Sequence, residues 1–132
     1  MNYSFKKEGK FNYVEIGEGR PIIILHGLMG GLSNFSGVTK FFNQNGYMVV
    51  LPELPLYSMP LLNTNVKSFA VYLKEFIDLR GYNDVILLGN SLGGHIGLLY
   101  TKLYPSKVKA LIITGSSGLY ESAMGSGYTK RS

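Results

Sequence analysis

The chain has 132 residues, 45% hydrophobic and 16% charged, with a formal net charge of +5, which is enough for one small domain with a real core and leaves it more apolar than most soluble domains. It contains no cysteine, which excludes a disulfide framework and a thiolate metal site, and its aliphatic runs reach about five residues against the roughly 20 of a membrane span. The first ten residues, MNYSFKKEGK, lack the apolar stretch of a signal peptide, and the basic residues never run beyond two, so a cytoplasmic protein with no nucleic-acid surface is the expectation.

In chain order, residues 3–7 and 11–16 alternate apolar with polar side chains around Glu8-Gly9-Lys10, which predicts an antiparallel hairpin over 1–16 at a sheet edge. After a turn at 17–20, Pro21-Ile22-Ile23-Ile24-Leu25 has the length and content of a buried strand, and it passes at once into His26-Gly27-Leu28-Met29-Gly30-Gly31. Ser33 or Asn34 caps a helix to about Asn45, with Phe35, Val38, Phe41 and Phe42 on one face and Asn45-Gly46 as its stop. Residues 47–51, YMVVL, form another buried strand. Residues 52–63 hold three prolines and no period, which predicts a surface loop. Asn63 or Asn65 then caps a helix that buries Val66, Phe69, Ala70, Leu73, Phe76 and Ile77 and closes at Arg80-Gly81.

Val85-Ile86-Leu87-Leu88 is too short for a helix and reads as a parallel strand buried on both faces. Gly89-Asn90-Ser91-Leu92-Gly93 follows, and then apolar residues at helical spacing, Leu92, Ile96, Leu99 and Leu103, up to Tyr104-Pro105. Residues 108–114, VKALIIT, are a further strand, and 115–132 are rich in glycine and serine without a period. Strands alternating with helices over 21–114 give an α/β fold, a mostly parallel sheet of about six strands with helices on both faces and the hairpin at its edge.

The stretch around Ser91 carries the chemistry. A serine hydroxyl is a poor nucleophile unless it is lifted clear of its surroundings and handed to a base. A sharp turn from strand to helix lifts it, strains its backbone, and leaves no room for side chains two residues to either side, where Gly89 and Gly93 stand. Gly94 and Gly97 let the helix approach the sheet. The helix N-terminus brings N–H groups and partial positive charge to the same place. Two plainer readings are a glycine-rich turn of a doubly wound sheet without catalysis and a dinucleotide-binding turn; the second requires glycine where Ser91 stands.

Gly89-Asn90-Ser91-Leu92-Gly93-Gly94 between strand and helix resembles the nucleophile elbow of the α/β-hydrolase superfamily, and a strand ending in H-G-x-x-G-G, in the correct order before it, resembles the oxyanion-hole loop of the same family. The alternative for the loop is a connection between strand and helix and nothing more. The resemblance implies that Ser91 is the catalytic nucleophile and that the N–H groups of Leu28 and Leu92 hold the oxyanion. It implies that Gly27, Gly89 and Gly93 shape loop and elbow, and that His26, Met29, Asn90 and His95 lie near the pocket. It requires neither a metal nor an organic cofactor. The apolar Leu28, Met29 and Leu92, with Leu54 and Leu56 of the proline-containing loop, suggest a small-molecule substrate carrying an acyl chain or apolar group.

In this family the triad runs serine, then Asp or Glu, then histidine along the chain. The sequence holds two histidines, and neither follows Ser91 at the family's distance. His26 matches a structural histidine of the family, and His95 lies one helical turn past Ser91 and reads as a packed or capping residue rather than the base. Glu121 follows the last strand, where a few members place their acid, but reads as a loop glutamate, and Glu53 is given no role. The expectation is a truncated hydrolase core: the N-terminal part of a longer protein, with 115–132 beginning a lid or tail and the C-terminal part supplying the rest of the triad. The reaction implied is carboxylesterase-like hydrolysis of an ester or similar carbonyl through an acyl-enzyme, the 132-residue chain being inactive alone. Alternatives on the same fold are an acyltransferase, a C–C bond hydrolase, or a non-catalytic binder of small molecules or partners.

Overall fold

The computed structural model describes residues 5–25, 36–55 and 66–115. Six strands, β1 (Phe5–Glu8), β2 (Phe11–Ile16), β3 (Arg20–Leu25), β4 (Tyr47–Pro52), β5 (Val85–Asn90) and β6 (Val108–Thr114), form one sheet in the order β1-β2-β4-β3-β5-β6. The hairpin β1–β2 and the β2–β4 pair are antiparallel, and β4, β3, β5 and β6 run parallel to one another. Among the described residues three α-helices connect the parallel strands, α1 (Ser36–Gln44), α2 (Val66–Arg80) and α3 (Leu92–Leu103), and a short 3-10 turn, Pro105–Lys107, follows the last. None of the described helices is long and apolar enough to cross a membrane.

The continuous apolar runs of β3 and β5 are explained by cover on both sides of the sheet. Successive side chains of a strand point to opposite faces. Ile23, Leu25, Val50 and Leu87 therefore pack with Phe69, Leu73, Phe76, Ile77, Ile96 and Tyr100 of α2 and α3. Ile22, Ile24, Val49, Leu51, Ile86 and Leu88 occupy the other face with Val38 and Phe42 of α1. The predicted buried side of α2 is the observed one. The α1 face is rolled relative to expectation. Val38, Thr39 and Phe42 point inward, and Phe41 is 60% exposed, because the side of α1 that meets the sheet is set by where the helix docks. Phe35 and the capping residues predicted for α1 and α2 lie outside the described residues.

Gly81, with φ +74, ends α2 by donating its N–H to the Ile77 carbonyl at 2.9 Å. Arg80, one residue earlier, ties this end of the helix to the hairpin. Its guanidinium donates to Glu8 at 2.9 Å and to Glu15 at 2.9 and 3.2 Å, and the Tyr82 hydroxyl donates to Glu15 as well. Burial raises the Glu15 pKa, but the hydrogen bonds from Tyr82, Arg80 and Lys6 outweigh it and hold the carboxyl below its usual range. At the far side of the sheet β6 is the outermost of the described strands, with Ile112 40% exposed.

Candidate active site

The chain places β3 at the centre, goes to one side with β4, and crosses to the other with β5. Open α/β sheets bind their ligands at such a reversal of strand order, beyond the carboxyl ends of the strands. Both sequence motifs start there. Leu25, the last residue of β3, lies in register with Gly89 of β5, so the chain leaves β3 beside the end of β5, with Ser91 two residues past Gly89. Residues His26, Gly27, Leu28 and Met29 themselves, with Leu56 and Glu121, lie outside the described residues.

Ser91 sits between the last residue of β5 and the first of α3, with φ 58 and ψ −119. It is one of two described non-glycine residues with positive φ, the other being Asp84. A backbone held in so sparsely populated a region costs on the order of 1–3 kcal/mol and persists only where its surroundings enforce it. A serine at the N-cap of a helix ordinarily spends its hydroxyl on an N–H of the first turn. Ser91 makes no such capping bond, so α3 does not consume the hydroxyl. The serine is partly buried, its carbonyl accepts from the Gly94 N–H at 2.9 Å, and its own N–H donates to the Thr114 carbonyl at 3.2 Å.

The flanking glycines are explained by close approach. A β-carbon on Gly93 would overlap the Leu25 carbonyl oxygen and stand 2.6 Å from its carbon, and one on Gly89 would come within 2.6 Å of the Gly93 carbonyl carbon and 2.7 Å of the Gly94 Cα. At Gly94 and Gly97 the obstacle is instead a side chain of β6, Ile113 and Leu111 respectively, which is how α3 settles on the sheet.

Leu92 opens α3, so its N–H is among those that a helix leaves without an internal partner and that carry the positive end of its dipole. The first turn of α3 contains no acidic residue to neutralise that field. His95 is on the same turn, partly buried, with its Nε2 shielded from solvent. Asn90 is partly buried, and its Oδ1 accepts from the Thr114 hydroxyl at 3.2 Å. Glu53 is exposed and joins β4 to β2, its N–H donating to the Asn12 carbonyl at 2.8 Å and its carboxylate accepting from the Asn12 amide at 3.4 Å. Leu54, considered for a pocket on sequence grounds, is buried in the core beside α2 and α3. Among the described residues no group of three or more His, Asp and Glu is placed to hold a metal ion.

From sequence, Thr114 is only the last residue of the predicted strand 108–114. Only its register opposite Asn90 reveals it, and hydropathy does not encode register between parallel strands. A threonine closing the strand next to a G-x-S-x-G turn is the signal that was there to find.

Residues 20–130 match the model of the alpha/beta hydrolase fold family. Among curated relatives, Lipase 1 of Psychrobacter immobilis is 29% identical over 122 residues, covering 87% of this chain and 38% of the lipase. The 2-hydroxy-6-oxo-6-phenylhexa-2,4-dienoate hydrolase of Comamonas testosteroni is 33% identical over 117 residues, covering 82% of this chain and 40% of the enzyme. Among solved structures, the alpha/beta hydrolase MGS-MChE2, from the metagenome of sediments of the Mar Chica lagoon, superposes with a TM-score of 0.81 at 66% identity, over 92% of this chain and 55% of that one. The chain thus spans about two-fifths of the length of these curated relatives.

Proposed function

Because the chain belongs to the α/β-hydrolase fold family, we propose that the protein is a serine hydrolase in which Ser91 attacks the carbonyl carbon of an ester or related substrate. The observation that carries the reading is the strained Ser91 backbone, φ 58 and ψ −119, at the mouth of α3 with a hydroxyl that the helix does not use. In the proposed mechanism the hydroxyl proton passes to a histidine as Oγ bonds to the carbonyl carbon. The N–H groups of Leu92 and Leu28 hold the oxygen that becomes negative, each worth about 3–4 kcal/mol in the transition state. Collapse expels the leaving group, which takes that proton from the histidine, and leaves an acyl-enzyme; the neutral histidine then takes a proton from the water that cleaves it and returns it to Oγ. The histidine and its carboxylate partner are assigned to sequence corresponding to the part of the relatives that this chain does not span, and that C-terminal part is the first partner proposed for it. Residues 1–16, 21–114 and 115–132 are then an edge hairpin, a catalytic core and the start of a lid or tail. The relatives' printed activities favour a substrate with an acyl or other apolar group, and a cytoplasmic location is proposed with it.

Hydrolysis of a C–C bond next to a ketone is the second reading, favoured by the 33% identity to the phenylhexadienoate hydrolase against 29% to the lipase. Steady-state assays on short nitrophenyl esters and on a 2-hydroxy-6-oxodienoate separate the two. Ser91→Ala in the full-length protein should abolish turnover of either substrate and labelling by a fluorophosphonate probe; undiminished activity in that variant refutes the nucleophile. Failure of the wild-type protein to label, with its triad intact, favours a binder. The 132-residue chain alone is expected to show negligible turnover, since only oxyanion stabilisation and binding would remain.

A further inference from the structure

We propose that Thr114, at the carboxyl end of β6, is a positioning residue for Ser91, acting through the side chain of Asn90. The proposal rests on the reading of Ser91 as nucleophile. A strained backbone conformation holds only if it is restrained on both sides. On the helix side of Ser91 the restraint is the Gly94 N–H donating to the Ser91 carbonyl at 2.9 Å. On the strand side Thr114 supplies two restraints at once. Its carbonyl accepts from the Ser91 N–H at 3.2 Å, and its hydroxyl donates to Asn90 Oδ1 at 3.2 Å. Thr114 thus hydrogen-bonds to the turn through its backbone and its side chain together.

The neighbour of Thr114 closes the arrangement. Gly115 has φ +68, and a β-carbon there would stand 2.7 Å from Asn90 Oδ1. The amide oxygen therefore sits in a notch formed by Thr114 on one side and a bare backbone on the other. The peptide joining Asn90 to Ser91 is thus gripped at both ends, by a side-chain bond at Asn90 and a main-chain bond at Ser91. Loss of the hydroxyl leaves the main-chain bond in place and frees the amide to turn, so the backbone of Ser91 keeps its fold but loses definition. The consequence falls on the chemical step, which depends on the position of Oγ to a fraction of an ångström, and not on substrate binding.

Thr114→Val keeps the shape, the strand propensity and the carbonyl, and removes only the hydroxyl. In the full-length protein it should lower kcat on a nitrophenyl ester, and the rate of inactivation by a fluorophosphonate, about fivefold, the worth of one hydrogen bond, with KM unchanged. Thr114→Ser should restore both. In an Asn90→Ala background, Thr114→Val should have no further effect, because its acceptor is already gone. Wild-type rates in Thr114→Val, a raised KM in place of a lowered kcat, or an equal loss with and without Asn90 would overturn the positioning role while Ser91 remains the nucleophile. A wild-type protein that does not react with the probe overturns the hydrolase reading, and the positioning role with it.

Discussion

Alanine at three helical glycines tests whether the approach of α3 to β3 dictates the glycines of the Ser91 turn. Alanine relieves the backbone entropy that glycine loses in a helix, a gain of roughly 0.5–1 kcal/mol where there is room. At Gly37, in α1, nothing among the described residues stands within 4 Å of the added carbon, so Gly37→Ala should stabilise by about 0.5 kcal/mol, the lower end because it lies in the first turn. At Gly97 the neighbour is the Leu111 Cδ1 at 3.0 Å, the free end of a flexible side chain, so cost and gain should nearly cancel. At Gly93 the neighbours are the Leu25 carbonyl oxygen and, at 2.6 Å, its carbon, where ordinary contact begins at 3.4 Å. That obstacle is the backbone of a central strand held by β4 on one side and β5 on the other, and it cannot swing aside. Overpacking of this kind costs about 3 kcal/mol or more, so Gly93→Ala should destabilise by a net 2 kcal/mol or so even after the helix gain. The midpoint of urea unfolding for the three variants gives the order 37, 97, 93 from most to least stable. Gly93→Ala should also depress probe labelling of Ser91, since α3 must retreat from the sheet. A Gly93→Ala protein as stable as Gly37→Ala would refute the argument that close packing, and not turn conformation alone, selects glycine there.

The remaining predictions concern the polar groups around the core. Arg80→Met removes the main partner of Glu15, a carboxylate whose side chain is 8% exposed, and should cost about 2–4 kcal/mol in urea unfolding, less if Lys6 and Tyr82 compensate. Because Glu15 has a depressed pKa, its contribution to stability is present above the unfolded carboxylate pKa of about 4.3 and disappears as pH falls through the folded value; Glu15→Gln should therefore flatten the acid limb of the stability curve, and an unchanged limb would contradict the network. Tyr100, fully buried against Tyr104, has a hydroxyl with no hydrogen-bond partner among the described residues, so Tyr100→Phe should stabilise by about 1 kcal/mol, whereas Tyr82→Phe, which loses its bond to Glu15, should destabilise. Burial foremost, with the nearby Asp78, pushes the Tyr100 pKa up to about 12. The unfolded chain then releases its proton first as pH rises, and the stability lost between roughly pH 10 and 12 should be smaller in Tyr100→Phe.

The layered fold was legible because each of its layers leaves a periodic trace. Runs such as Ile22 to Leu25 and Val85 to Leu88 mark strands covered on both faces, and the spacing of Phe69, Leu73, Phe76 and Ile77 marks the face of α2. The Ser91 turn was legible for a different reason: Gly89 and Ser91 answer the local demand of a strand that becomes a helix without a connecting loop, and Gly93, which the approach of Leu25 in β3 requires, falls in the same short motif. Sequence did not give the roll of α1, because whether Phe41 or Thr39 faces the sheet depends on where the helix docks and not on its own pattern.

What the chain determined by itself was which segments become strands and helices and where a serine is raised between them, since hydropathy and glycine placement act over a few residues. What only the tertiary structure decided was who stands beside that serine. Leu25 opposite Gly89 and Thr114 opposite Asn90 are matters of register between parallel strands. Register is set by how α1, α2 and α3 pack on the sheet as a whole, a long-range balance that no short window of sequence contains.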